Sequence, residues 1–245
     1  MKVDAFAIRL RRRSQMEALD LGVTLCQSAA RSTFACYLAV LVPIISIALA
    51  TFEIATWLPT ALLWWSKPWL DRTILFVLSR AAFGQPTSLR TLWHAQRQVW
   101  WQQLLLTLTW RRLSPWRSLT QPVYQLEGLS IGRFTKRLRQ IRFHQTRSAL
   151  LMSSAFALVE LIVVLSLLIL VSALTPGQEG SLALLYNEDA AGNATESFAL
   201  SCAYALAIGF LEPFYVGAGF ALYLNRRVEL EAWDIEQEFR RAFAA

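Results

Sequence analysis

The chain has 245 residues, 55% of them hydrophobic and 17% charged, with a formal net charge of +7. An ordinary soluble domain carries about 45–50% apolar and about 25% charged residues. The balance here excludes a disordered or collagen-like chain, and a count of three cysteines excludes a disulfide scaffold.

In chain order, Ser14-Gln15-Met16-Glu17 has the spacing of a capping box, the start signal of a helix. Met16, Leu19, Val23, Cys26 and Ala30 follow at helical spacing. Residues 1–32 therefore read as a cytoplasmic amphipathic helix under the bilayer, feeding the first span. The stretch 33–66 carries a single charge, Glu53. A span needs about 20 residues, so this stretch divides near Thr51–Glu53 into a transmembrane hairpin. The competing reading is one long tilted span with an interfacial piece.

The segment 67–147 holds 14 basic and 2 acidic side chains, interleaved with Trp69, Trp93, Trp100, Trp101, Trp110 and Trp116. Tryptophan rings favour the headgroup layer, and Arg and Lys stems lie along it with their charges at the phosphates. The segment reads as a basic, Trp-rich cytoplasmic interfacial region whose partner is anionic phospholipid. Trp100, Trp101, Arg111 and Arg112 are among its contact residues. Other membrane or cytoplasmic proteins are the competing partners. Nucleic acid, the usual partner of a basic aromatic stretch, is set aside because an anchored chain has lipid at hand. Within the segment, Ile131, Phe134, Leu138 and Ile141 form an apolar stripe beside Arg133, Lys136, Arg137 and Arg142. That pattern is a basic amphipathic helix for the inner leaflet, although positive charge that merely sets topology explains it too.

Residues 148–174 and 198–224 form two further apolar runs, each with a single charge, Glu160 and Glu212. Small residues recur every four positions in the second, with Gly217 and Gly219 beyond, and Ala149, Ser153 and Ala157 of the first offer a mate. Between the two runs, 175–197 is acidic and contains no Lys or Arg. After Arg226-Arg227, residues 225–245 turn acidic through Glu229, Glu231, Asp234, Glu236 and Glu238. This acidic helix either docks on the basic surface or stays solvated. The four non-membrane segments, 1–32, 67–147, 175–197 and 225–245, hold 6, 14, 0 and 4 basic residues. Lys and Arg mark the cytoplasmic side. The expected fold is therefore an all-α integral membrane protein, a single domain of four transmembrane helices plus amphipathic interfacial helices, with both termini cytoplasmic.

Chemistry is harder to find. His94 and His144 are far apart, Cys26, Cys36 and Cys202 fall in separate elements, and no metal, phosphate-loop or nucleophile motif occurs. No catalytic residue, metal or cofactor is expected. The one constellation is Glu160 and Glu212, with Pro213 beside the latter. Glu160 lies 13 residues beyond Arg147, and Glu212 lies 13 before Asn225. Both should sit at one depth, about 20 Å from the inner surface at 1.5 Å per residue. Intramembrane carboxyls are costly and mark functional sites. With no Lys or Arg inside the spans, at least one is expected to be protonated. A proton or cation site is one reading. A structural carboxyl, bonded across helices or to carbonyls freed by Pro213, is the other.

Two strings carry a resemblance. One is Trp64-Trp65-Ser66-Lys67-Pro68-Trp69-Leu70-Asp71-Arg72, followed by Leu78-Ser79-Arg80 and Phe83-Gly84. The other is Glu212-Pro213-Phe214-Tyr215-Val216, then Gly219-Phe220-Ala221-Leu222-Tyr223-Leu224-Asn225-Arg226-Arg227 with Glu231 and Asp234. Both resemble a family of bacterial inner-membrane proteins that is itself similar to the membrane domain associated with some glycerophosphodiester phosphodiesterases. The resemblance implies a multi-pass protein of the bacterial inner (cytoplasmic) membrane and carries no reaction. The expected function is a non-enzymatic accessory or scaffold organising partner proteins or anionic lipid at the cytoplasmic face. The alternative is a small transporter or proton-coupled subunit using the paired glutamates. A polar cavity reaching both glutamates would favour the alternative.

Overall fold

The computed structural model describes residues 13–101, 104–109, 114–128, 131–174 and 194–231. The acidic loop over 175–193, the acidic segment after Glu231, Trp110, Arg111 and Arg112 lie outside the described residues. What is described is all-helical, without strands. Three helices are long and apolar enough to cross a membrane: α2 (Ala30–Ala50), α8 (Thr146–Leu174) and α9 (Ala194–Glu231).

The first helix, α1 (Gln15–Ser28), starts where the capping box predicts, with the Ser14 hydroxyl accepting the Glu17 amide at 3.3 Å. It then departs from expectation. Its buried face is Ala18, Gly22, Leu25 and Cys26, and Met16 is exposed. The helix lies against α9 and not merely beneath a bilayer. Gly22 explains the choice of face. A Cβ at Gly22 would stand 2.6 Å from the Ala218 Cα, and one at Gly217 would stand 2.8 Å from the Gly22 carbonyl oxygen. The two backbones touch, so the smallest residues define the contact. Asn225 pins the start of α1: its Oδ1 accepts from Arg13 N and its Nδ2 donates to Arg13 O, both at 3.0 Å.

The helix α2 and its successor α3 (Leu58–Ala81) pack along one another across the short connection 51–57, as the hairpin reading requires. The boundary expected at Ser66 is not observed. α3 runs unbroken through Lys67 and Pro68 to Ala81. Leu70, Ile74, Leu75, Val77 and Leu78 are at most 1% exposed. That burial holds the helix together where hydropathy falls off. The first part of the expected interfacial region, 67–81, is therefore core. Asp71 and Arg72 are buried with it.

Short elements follow: α4 (Leu89–His94), a π-helical turn (Arg97–Trp101), α5 (Leu104–Leu108), α6 (Arg117–Leu126) and α7 (Ile131–Arg142). Arg72 organises the turn. Its Nε donates to Val99 O at 2.5 Å, Nη2 to Gln98 O at 3.2 Å and Nη1 to the Thr107 hydroxyl at 3.1 Å. Two side chains latch α6 onto α3: Gln121 Nε2 donates to Pro68 O at 3.4 Å and Gln125 Nε2 to Arg72 O at 2.8 Å. α9 is the centre, packing against α1, α2, α3, α6 and α8.

Candidate functional site: a buried charged cluster

Four helices bring five charged side chains together. Lys67 projects from α3, Glu160 from α8 and Glu212 from α9. The Lys67 ammonium lies 2.7 Å from Glu160 Oε2 and 2.9 Å from Glu212 Oε2. The equal depth read from the sequence thus places both carboxylates on one cation. Arg117, the first residue of α6, supplies a second. Its Nη2 donates to Glu212 Oε1 at 2.9 Å, and its Nε lies 2.9 Å from Asp71 Oδ2. Asp71 is fully buried, so its carboxylate meets Arg117 out of contact with solvent.

The expectation that no basic residue reaches the glutamates is overturned by these distances. It rested on ending the span at Ser66, which put Lys67 in a loop one residue later. Because α3 continues, Lys67 sits mid-helix. Pro213 is buried inside α9. The partners found for the two glutamates are cations. The Tyr37 hydroxyl donates to the carbonyl of Ile208, five residues before Pro213, at 3.1 Å.

The cluster borders a cavity of about 160 Å³, lined by Lys67, Arg117, Ser153, Glu160, Glu212 and Tyr215 among others. That is roomy enough for several waters, with polar partners to hold them. Ser153 donates to Pro115 O at 2.9 Å and its hydroxyl lies 3.3 Å from that of Tyr215. Arg117 stacks over the Tyr215 ring at 5.5 Å. Of the small residues expected to mate α8 to α9, Ala149 is buried and Ser153 makes these bonds. Ala157 is exposed and lines the cavity.

Sequence reasoning missed Lys67, Asp71 and Arg117. A signal existed for each. Lys67 and Asp71 are four apart, hence on one helix face. Arg117, Gln121 and Gln125 repeat that spacing on α6, and all three reach α3.

The basic surface residues separate into two kinds. Arg133 and Lys136 on α7 are exposed, as is Trp101 at 66%. Arg137, Arg142 and Trp100 face protein instead. Arg137 Nε lies 2.9 Å from Glu127 Oε2, and its Nη2 bonds Glu231. Burial disfavours the Arg137 charge, but hydrogen bonds and attraction from those two carboxylates outweigh it and hold the guanidinium above its ordinary range. Arg142 covers the Trp116 ring at 3.8 Å. Trp100 is half-buried, packed beside Trp69 and Trp93, and donates from Nε1 to the Thr73 hydroxyl at 3.0 Å. The apolar stripe of α7 is likewise used internally. Ile141 is fully buried, Phe134 and Leu138 pack on the core, and Phe134 lies 4.3 Å from the Tyr124 ring.

Among the described residues, no group of His, Cys, Asp and Glu side chains could hold a metal ion. No family model matches the chain, and no curated protein or solved structure is similar to it.

Proposed function

We propose that this chain is a four-span protein of the bacterial inner membrane, with both termini cytoplasmic. In this reading the Lys67–Asp71–Arg117–Glu160–Glu212 cluster is the proton- or cation-exchanging site of a small transporter or proton-coupled membrane subunit. The fourth span in this reading is α3, and its packing along α2 supports that assignment. The bacterial membrane is taken from the resemblance in the Trp64–Arg72 and Glu212–Arg227 strings.

The observation that carries the functional reading is the cavity of about 160 Å³ that reaches both glutamates. Charge adds to it. Three carboxyl groups meet two cations, so the cluster is neutral only with one proton or one monovalent cation aboard. Neutrality is strongly favoured at membrane depth. Asp71, the most deeply buried of the three carboxyl groups, supplies a place for that proton.

Infrared difference spectroscopy of the protein in lipid tests this. A protonated-carboxyl band should be present at neutral pH and absent in Asp71→Asn. Proteoliposomes with a trapped pH dye should show proton movement that Glu212→Gln abolishes while the protein still folds. Absence of the band, or equal proton movement in the variant, overturns the reading. A second reading, an accessory protein organising partner proteins or anionic lipid at the cytoplasmic face, draws on the exposed Arg133, Lys136 and Trp101.

A further inference from the structure

A second charged assembly lies where α6, α7 and the end of α9 meet. It encloses an open groove of about 580 Å³, lined by Glu127, Arg133, Lys136, Arg137, Gln140 and Arg227, with Leu126. Its height is fixed by sequence. α7 leads directly into α8, whose apolar run starts at Ser148. Arg227 follows Leu224, the end of the apolar run of α9, by three residues, about 4.5 Å of helix rise. Both walls therefore stand at the headgroup level of one leaflet.

The groove is built, not a chance patch of surface charge. Two of its four cations are held in place from behind. Arg137 is gripped by Glu127 and Glu231. Arg227 Nη2 lies 2.6 Å from Glu231 Oε2, and its Nη1 donates to the Tyr223 hydroxyl at 3.3 Å. That hydroxyl in turn donates to Glu127 Oε1 at 2.7 Å. A guanidinium carries five donors in a planar fork, so one fixed by a carboxylate retains capacity for a phosphate. The other two cations, Arg133 and Lys136, are exposed on the α7 rim. Four cations against Glu127 and Glu231 leave a surplus of two positive charges. The apolar side of α7 is spent on the protein core, so the helix is docked with its basic edge turned to the groove and does not merely adsorb to lipid.

We infer that this groove binds the phosphate-bearing headgroup of an anionic phospholipid, one carrying about two negative charges, with Arg133 and Lys136 closing over phosphates seated against Arg137 and Arg227. Basic pockets between membrane helices on the cytoplasmic side suit such headgroups. The inference goes beyond the proton-coupled reading and does not depend on it, since it concerns different residues and a different ligand.

Native mass spectrometry of the full chain in detergent tests it, with cardiolipin, phosphatidylglycerol and phosphatidylcholine as probes. Cardiolipin should be retained where phosphatidylcholine is stripped. The double variant Arg133→Gln, Lys136→Gln should weaken cardiolipin binding by about thirtyfold, at roughly fivefold or more per charge near the surface. Both residues are exposed, so folding should be unaffected. The charge-matched control Arg90→Gln, Arg97→Gln, also exposed, should bind as the parent does. Equal weakening in both double variants would mean unspecific attraction and overturn the site, as would no weakening in either. Displacement of cardiolipin by inorganic pyrophosphate at equal concentration would assign the groove to a free phosphate ligand and overturn the lipid assignment.

Discussion

Lys67 holds together the two carboxylates that the sequence singles out. Its side chain is 11% exposed, against 19% for Glu160 and 3% for Glu212. Removing one partner of a buried ion pair costs about 3–5 kcal/mol, because the remaining charge stays buried without compensation. Lys67→Met should therefore destabilise the protein by about that amount, measured as a loss of melting temperature in detergent. The two glutamates should not behave alike. Glu212 faces both Lys67 and Arg117, whereas Glu160 has Lys67 and borders the cavity. Glu212→Gln leaves Lys67 with Glu160 and Arg117 with Asp71, but weakens bonds to two cations, so about 2–3 kcal/mol is expected. Glu160→Gln leaves Lys67 paired with Glu212 and keeps an acceptor in place, so about 1 kcal/mol is expected. Equal costs for the two glutamine variants would contradict the asymmetry. The sequence placed both carboxylates at one depth by counting residues from the basic flanks, and the structure brings them to the same ammonium. It could not reveal the counter-charges while the hydropathy of Trp64–Arg72 marked the end of a span.

At the scale of elements, the crossing of α1 and α9 gives a clean contrast between two glycines. A Cβ on Gly22 meets backbone of Gly217 and Ala218, which cannot move without separating the helices. A Cβ on Gly209 meets only Leu41 Cδ2, at 3.5 Å, an ordinary contact. Gly22→Ala should cost about 1–3 kcal/mol by overpacking. Gly209→Ala should be neutral or stabilising by up to about 1 kcal/mol, from the helix preference of alanine over glycine. Thermal unfolding of both variants in one detergent checks the pair, and a Gly22→Ala protein as stable as its parent would refute the contact. Gly219 belongs to the same class: a Cβ there would stand 2.7 Å from the Ser118 carbonyl carbon, so α6 is seated as closely as α1. Gly217 and Gly219 are close-approach points of α9, whereas Gly209 of the four-residue repeat is not, and the partners proved unreadable. Gly217 meets Gly22 and Gly219 meets Ser118, neither of them on α8. Periodicity reports which face of a helix is smooth, and only the chain path decides which neighbour arrives there. The same limit applies to α1. Its most regular apolar positions include the exposed Met16, whereas backbone contact selected the face of Ala18, Gly22 and Cys26.

For the whole molecule, the hairpin and the charge distribution converge on one orientation. α3 returns beside α2, so the connection 51–57 lies on the side opposite α1. Residues 51–66 contain no Lys or Arg, and neither does the stretch 175–193 between α8 and α9. Both turns are thereby predicted to face outward, and every basic residue outside the α3 core is predicted to lie inward or at the inner headgroups. Positive charge sets orientation when counted over such short flanking segments. Lys67 and Arg72 move from the cytoplasmic tally into the helix core, but this leaves the asymmetry intact, since the outward segments still carry none. Single cysteines should be introduced at Glu53, Glu188 and Lys136 in a chain whose Cys26, Cys36 and Cys202 are replaced by alanine. A membrane-impermeant maleimide added to intact cells should label positions 53 and 188, and should reach position 136 only after the membrane is opened. Labelling of 188 without 53 would mean that α2 and α3 do not both cross, leaving Lys67 outside the bilayer. Labelling of 136 in intact cells would invert the protein and place the α7 groove on the outer leaflet.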